Sequence, residues 1–161
     1  MGASIIIFSN KDNAKKILSK TGMKEFAELS FSEENGFRYV ITRQHIAEQN
    51  QAIYAHLANA KILYIGRSKY SLADRLKKHT KWAQDSIRGK TAAANAERNL
   101  REKERAERWR DELLRTGGKD EVWGRSGLIR KTPYGAINIY KSEESYLIEL
   151  YSPPLNSSTS I

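Results

Sequence analysis

Apolar residues recur along this chain in two rhythms, and the changes between them mark out its elements. Ile5-Ile-Ile-Phe8 is a short continuous apolar run of the kind a buried strand shows. Ser9 or Asn10 can then cap a helix through Asn13 to Leu18 that stops at Gly22. Ala27, Leu29 and Phe31 alternate with polar residues, Glu34-Asn35-Gly36 supplies a turn, and Phe37 to Ile41 follows, a pattern that predicts a hairpin. From Arg43 to Ala60 the chain is rich in Ala, Gln and Glu, and Ile46, Ile53, Tyr54 and Leu57 recur at helical spacing behind a Thr42 cap, which predicts a helix. Ile62-Leu-Tyr64-Ile65 is a strand ended by Gly66, and a basic helix follows from Leu72.

Further on, Ala92 to Thr116 reads as a long helix, with Glu97/Arg101, Glu104/Arg108 and Asp111/Arg115 four apart, acid first, and Gly117-Gly118 to end it. Its apolar residues Ala96, Leu100, Ala106, Trp109 and Leu113 form a narrow stripe. That suits a half-exposed solvated arm, a DNA-contacting element or a dimerisation helix. Glu121 to Gly124 and Gly127 to Lys131 look strand-like, Pro133-Tyr-Gly135 turns, and Ala136 to Tyr140 is the clearest remaining strand. Ser142 can cap a closing helix that ends before Pro153-Pro154, and the small polar tail from residue 157 is expected to fray.

Composition narrows the class. At 161 residues the chain is expected to be one domain large enough to bury a core. A formal net charge of +9 suits a polyanionic partner. The absence of cysteine excludes a disulfide scaffold and any thiolate metal site, and Ile5 to Phe8 is far too short for a membrane span, so a cytoplasmic protein with no membrane partner is expected. The positive charge is dense between Lys61 and Lys90, where Arg67, Lys69, Arg75, Lys77, Lys78 and Lys81 face only Asp74 and Asp85, as a phosphate-binding surface would.

The candidate chemistry lies in that stretch. Tyr64 ends a strand, and Arg75 and His79, four apart, share one helix face. Such spacing alone is weak, but Tyr64-Ile65-Gly66 with Arg75 and His79 downstream resembles the second half of the GIY-YIG nuclease signature. Glu144-Ser-Tyr-Leu147-Ile148, then Pro153-Pro-Leu-Asn156, resembles the pattern that closes that domain. The resemblance covers about residues 36 to 157, with one residue more than usual between Tyr64 and Arg75.

The resemblance implies an α/β fold: a small, mainly antiparallel three-stranded core sheet flanked by helices. Residues 1–35 would be an N-terminal hairpin and helix extension, and residues 91–117 a helical insertion in the core. It implies a metal-dependent DNA endonuclease, free-standing like the restriction and phage-defence members, leaving a 5′ phosphate. Glu144 would be the single protein ligand to Mg²⁺, with Mn²⁺ as an alternative. Tyr64 and a tyrosine on the neighbouring strand would position or deprotonate the attacking water, Arg75 would bind the scissile phosphate, His79 would assist, and Asn156 would hold the site together. Arg67, Lys69, Lys77, Lys78 and Lys81 would contact DNA. The neighbouring-strand tyrosine is either Tyr39 or Tyr54, Ala52-Ile53-Tyr54 having Ala where the family usually has Gly. The helical reading of 43 to 60 favours Tyr39. One active site cuts one strand, so double-strand cleavage would need a homodimer or successive nicks. The alternatives are an idle DNA-binding module and a repair or recombination nuclease acting on branched or damaged DNA.

Overall fold

A computed structural model of the chain describes residues 11–59, 61–89 and 96–156. The expected strand over residues 4–8, the Ser9 or Asn10 cap, Lys90 and the start of the long helix, and the tail from residue 157 lie outside the described residues. In chain order the elements are α1 (Lys11–Lys20), β1 (Lys24–Ser32), β2 (Gly36–Ile41), α2 (Gln44–Ala47), β3 (Ala52–Ala58) and β4 (Lys61–Ser68). Then come α3 (Leu72–Ile87), α4 (Ala96–Arg115), β5 (Lys119–Ser126), β6 (Ile129–Thr132), β7 (Gly135–Asn138) and α5 (Tyr140–Tyr151). Among the described residues no helix is long and apolar enough to cross a membrane.

The expected α/β class, with a mainly antiparallel sheet flanked by helices, is what the chain forms. Its main sheet has five strands in the order β2-β1-β5-β3-β4, every neighbouring pair antiparallel. The predicted hairpin is present, with Phe31 opposite Phe37. It is not a separate layer: β1 pairs with β5, so the hairpin extends the core strands β5, β3 and β4 into one sheet.

The largest correction concerns residues 43 to 60. Only Gln44–Ala47 is helical, and Ala52–Ala58 is strand β3, paired with β5 on one side and β4 on the other. All seven residues of β3 are buried. A strand covered on both faces needs apolar residues at every position, so its period-two signature disappears. Tyr54 and His56 face one layer with Ala52, while Ile53, Ala55 and Leu57 face the other.

Helices α3 and α4, with α2, pack against the Tyr54 face around Phe26, Leu63, Leu72, Leu76, Trp109 and Leu113. On the opposite face α1 and α5 pack around Leu18, Ile53, Leu57, Ile65 and Leu147. Ser71 caps α3 by accepting from the Asp74 N–H at 3.1 Å. The α5 start departs from expectation: the helix begins at Tyr140, before Ser142, and the apolar run from Ala136 gives only a four-residue strand, β7. Asn138 ends that strand by accepting from the Tyr140 N–H at 3.0 Å, turning the chain into the helix.

Candidate active site

Strand β4 is an edge strand, and the residues singled out in the sequence gather around its middle. A bulge between the His56/Tyr64 and Leu57/Ile62 pairs leaves Leu63 as the extra residue, and the bulge sets Tyr64 on the same face as Tyr54 and His56. Tyr54 lies in register between two glycines, Gly66 on β4 and Gly124 on β5. A Cβ on Gly66 would stand 2.5 Å from Tyr54 Cζ and 2.6 Å from its hydroxyl. The glycine of Tyr64-Ile65-Gly66 is therefore the space that the phenol of Tyr54 occupies.

From the other side of this face, α3 delivers Arg75, whose Nε donates to the Tyr54 hydroxyl at 3.1 Å. The ring of His79, one turn on, lies 5.8 Å from that of Tyr64 and 4.7 Å from that of Trp109. Tyr54 and Tyr64 are 6.0 Å apart between ring centroids. Tyr39 is elsewhere: it sits on β2, opposite Leu29, with β1, β5 and β3 between it and β4. The strand beside Tyr64 carries Tyr54, against the preference for Tyr39 that the helical reading produced.

Glu144 reaches the site from α5, on the far face of the sheet. Arg67, opposite Ile53 in register, points to that face, and its Nη1 lies 3.4 Å from Glu144 Oε1. Burial raises the Glu144 carboxyl above its usual value of 4.5, and the charges of Arg67 and Arg75 oppose the rise. Arg75 thus acts on both the tyrosine face and the carboxylate, around an edge strand that carries no side chain at Gly66. The adjacent Glu143 is used differently: it pairs with Arg125 and accepts the Leu128 N–H at 2.7 Å. Helix starts favour acids, but here one acid fastens the fold and the next pairs with Arg67 beside the edge strand.

Asn156 closes the edge. Its Oδ1 accepts the Ile65 N–H and its Nδ2 donates to the Ile65 carbonyl, both at 2.7 Å, while the Leu155 N–H donates to the Leu63 carbonyl. These bonds imitate a neighbouring strand for the edge groups that would otherwise be exposed.

Two depressions meet at Arg75 and Lys78. One, of about 340 Å³, is lined by Tyr64, His79, Trp82, Glu102, Arg105 and Trp109 besides those two. The other, of about 220 Å³, is lined by Arg67, Ser68, Lys69, Tyr70 and Asp74 with them. Lys69 and Lys78 both approach the exposed ring of Tyr70, at 5.8 and 5.4 Å from its centroid. Lys77 and Lys81 line neither depression, and Lys81 is paired with Asp85 on the exposed side of α3. The basic stretch thus divides into a cleft-facing set, Arg67, Lys69, Arg75 and Lys78, and a solvated set.

Helix α4 is not an arm. Ala106, Trp109 and Leu113 are buried against the sheet, and Trp82 Nε1 donates to Glu102 Oε2 at 2.6 Å, so α4 forms one wall of the cleft. Behind it lies a pair that sequence spacing does not reveal: His56 Nδ1 and Asp120 Oδ2, 3.1 Å apart, both side chains fully buried. The His56 ring lies edge-on to Trp109 at 4.7 Å and near Tyr64 and His79 at 5.9 and 5.5 Å. These aromatics form the floor of the site. His56, Tyr70, Trp82, Trp109 and Asp120 carry no motif in the sequence; only the alternation of the strands could have grouped the first and last.

Burial holds the His79 pKa well below its ordinary 6.5, with His56, Arg75 and Arg105 acting in the same direction. In the unfolded chain this histidine protonates near 6.5, so protons favour unfolding below that value. Stability is expected to be complete above about pH 6.5 and to fall as pH drops from there toward the folded-state pKa. Burial raises the Asp120 carboxyl, which works in the opposite sense. The difference between intact protein and His79→Asn therefore isolates the histidine. Urea midpoints at pH 7.5 and 5.0 should fall more for the intact protein; equal falls would remove His79 from the account.

A five-stranded antiparallel sheet with helices on both faces and a polar, aromatic cleft at one edge strand is a compact α/β architecture. The fold is similar to that of bacteriophage T4 EndoII, solved as a mutant: TM-score 0.56 and 21% sequence identity, over 89% of this chain and 98% of that one. Restriction endonuclease Hpy188I in complex with product DNA matches at a TM-score of 0.47 and 12% identity, over 99% of this chain and 96% of that one, a likeness too distant to build on. No protein-family profile and no curated protein sequence matches the chain.

Proposed function

We propose that this protein is a metal-dependent endonuclease of the GIY-YIG type that hydrolyses DNA phosphodiester bonds. The carrying observation is the convergence of Tyr54, Tyr64, Arg75 and Glu144 around Gly66, from both faces of one edge strand, beside a basic cleft. The chain has no cysteine and carries a net charge of +9, which suits a cytoplasmic protein acting on a polyanion. A compact domain with its own cleft wall fits a restriction or phage-defence role. One such site cuts one strand, so cutting a duplex through takes two copies or two nicks.

Among the described residues no group of three or more His, Cys, Asp or Glu could hold a metal. A hard, well-hydrated cation needs no such group, since one carboxylate suffices when phosphate and water complete the shell. Glu144 fits: one oxygen is paired with Arg67, and the side chain keeps 16% exposure beside the edge strand. A bound Mg²⁺ or Mn²⁺ would offset phosphate charge and make a bound water more acidic.

The chain's own residues supply the rest. Arg75 engages Tyr54 through Nε and also bonds Tyr64, which aims its guanidinium to clasp a phosphate oxygen in the transition state. Burial, with Tyr64 adding, raises the Tyr54 phenol, and only Arg75 opposes the shift. The neutral phenol therefore orients the attacking water rather than serving as a standing base. Tyr64 borders the cleft, and the neutral ring of His79 steadies it. Asn156 keeps β4, and so Arg67 and Gly66, in place.

With Mg²⁺, the protein should convert supercoiled plasmid to nicked or linear DNA whose 5′ ends accept label from a kinase only after phosphatase treatment. Salt-sensitive DNA binding without cleavage of plain, branched or damaged substrates would instead make it an idle binding module.

A further inference from the structure

The β6–β7 ribbon has no part in the chemistry above, yet it holds several of the most exposed large apolar side chains among the described residues. It is a two-stranded sheet of its own, with Ile129 opposite Asn138 and Thr132 opposite Gly135, and it does not join the main sheet. Ile129 is 63%, Ile137 51% and Tyr134, at the tip, 100% exposed. From Gly127 to Lys141 the segment contains Arg130, Lys131 and Lys141 and no acid. Neither Arg130 nor Lys131 has an ion-pair partner among the described residues.

The ribbon's base is fixed and its tip is shaped. The Gly127 N–H and Asn138 Nδ2 both donate to the Gln51 carbonyl, and Glu143 accepts the Leu128 N–H. The Gln51 N–H in turn donates to the Lys69 carbonyl, so the ribbon rises from the end of the sheet that bears the cleft's basic patch. It leads directly into the helix carrying Glu144. At the tip, Thr132 Oγ1 donates to the Gly135 carbonyl and accepts the Tyr134 N–H. A well-anchored ribbon that leaves its large side chains in water is built to meet something.

From this placement we propose that the ribbon enters a groove of duplex DNA tip first, beside the scissile phosphate, with Tyr134 and the neighbouring Ile137 against base edges and Arg130 and Lys131, on its two faces, against the flanking backbones. This rests on the reading of DNA as the substrate. The dimensions suit: four residues per strand extend roughly 13 Å, and the major groove, about 12 Å wide and 8.5 Å deep, admits a two-stranded ribbon. Charge decides against a second copy as the occupant. An acid-free segment bearing three bases, on a chain of net charge +9, would meet its own sign, whereas a DNA groove supplies phosphates for the bases and thymine methyls for the apolar side chains.

The test uses the full chain. Binding of a fluorescent duplex across a salt series is measured for intact protein, Arg130→Ala/Lys131→Ala and Tyr134→Ala/Ile137→Ser, with sedimentation of each. All four side chains are exposed, so the variants should fold. The charge variant is expected to lower the salt slope by about 2 and weaken binding about tenfold or more. The apolar variant is expected to keep the slope but change the fragment pattern or raise KM about tenfold, at unaltered sedimentation. Intact protein that binds and cuts DNA alongside variants that do so identically would overturn the ribbon while leaving the nuclease standing. A shift from dimer to monomer in the apolar variant, with an unchanged salt slope in the charge variant, would assign the ribbon to a second copy. No binding or cleavage by the intact protein would bring down both readings.

Discussion

Replacing Glu144 by Gln is expected to lower DNA cleavage by about three orders of magnitude while changing stability by no more than about 1 kcal/mol. The asymmetry follows from what the side chain touches. Its one partner is Arg67 at 3.4 Å, whose own side chain is 45% exposed, and a pair so wet is worth little to the fold. Its chemical part is large in the proposed mechanism, where this carboxylate would be the protein's own ligand to the cation. Removing a negative charge beside Arg67 and Arg75 should leave DNA binding intact or slightly tighter. Glu143→Gln is the contrast: that residue anchors Arg125 and the Leu128 N–H, so its loss should register first in stability. Cleavage that survives Glu144→Gln would mean that the carboxylate is only a partner for Arg67.

Asp120→Ala is expected to destabilise the protein by about 3–5 kcal/mol, the range for removing one member of a buried pair. Asp120 and His56 are fully buried, and His56 Nε2 already has no hydrogen-bond partner within the structure. Without Asp120, Nδ1 would lose its partner too, leaving a doubly unsatisfied imidazole in an apolar centre. Asp120→Asn can still hydrogen-bond and should cost less. Replacing both members by apolar residues, His56→Phe with Asp120→Leu, should recover much of the loss, because it removes the desolvated groups together. Chemical denaturation measures all three. A loss below about 1 kcal/mol for Asp120→Ala would show that water reaches His56 and that the floor of the cleft is not dry.

How much of this could be read from the sequence depended on whether neighbours along the chain also share an environment. The hairpin around Asn35-Gly36 and the helices of residues 72–87 and 96–115 are each amphipathic against one core, so their periodicity survived. Strand β3 failed that condition, since central placement buries both faces and Gln and Ala near it imitate a helix. The misreading carried straight into the preference for Tyr39, which in fact packs at the far end of the sheet. Gly66 was visible as a strand terminator, whereas its role as room for Tyr54 depends on cross-strand register. The His56–Asp120 pair spans 64 residues and has no local signature. Helix α4 showed its stripe, but only packing reveals that Trp109 faces His79 and walls the cleft. Glu143 and Glu144 are indistinguishable by propensity, and the geometry separates them by their partners.

Metal-dependent cleavage through Glu144 is read out by a time course of supercoiled plasmid with Mg²⁺, run with intact protein, with excess chelator and with Glu144→Gln. Intact protein with Mg²⁺ should convert the plasmid to nicked and then linear DNA, with no conversion within the same period in chelator and at most about a thousandth of the rate for the variant. Undiminished cleavage in chelator, or by Glu144→Gln at the intact rate, would contradict the proposed mechanism.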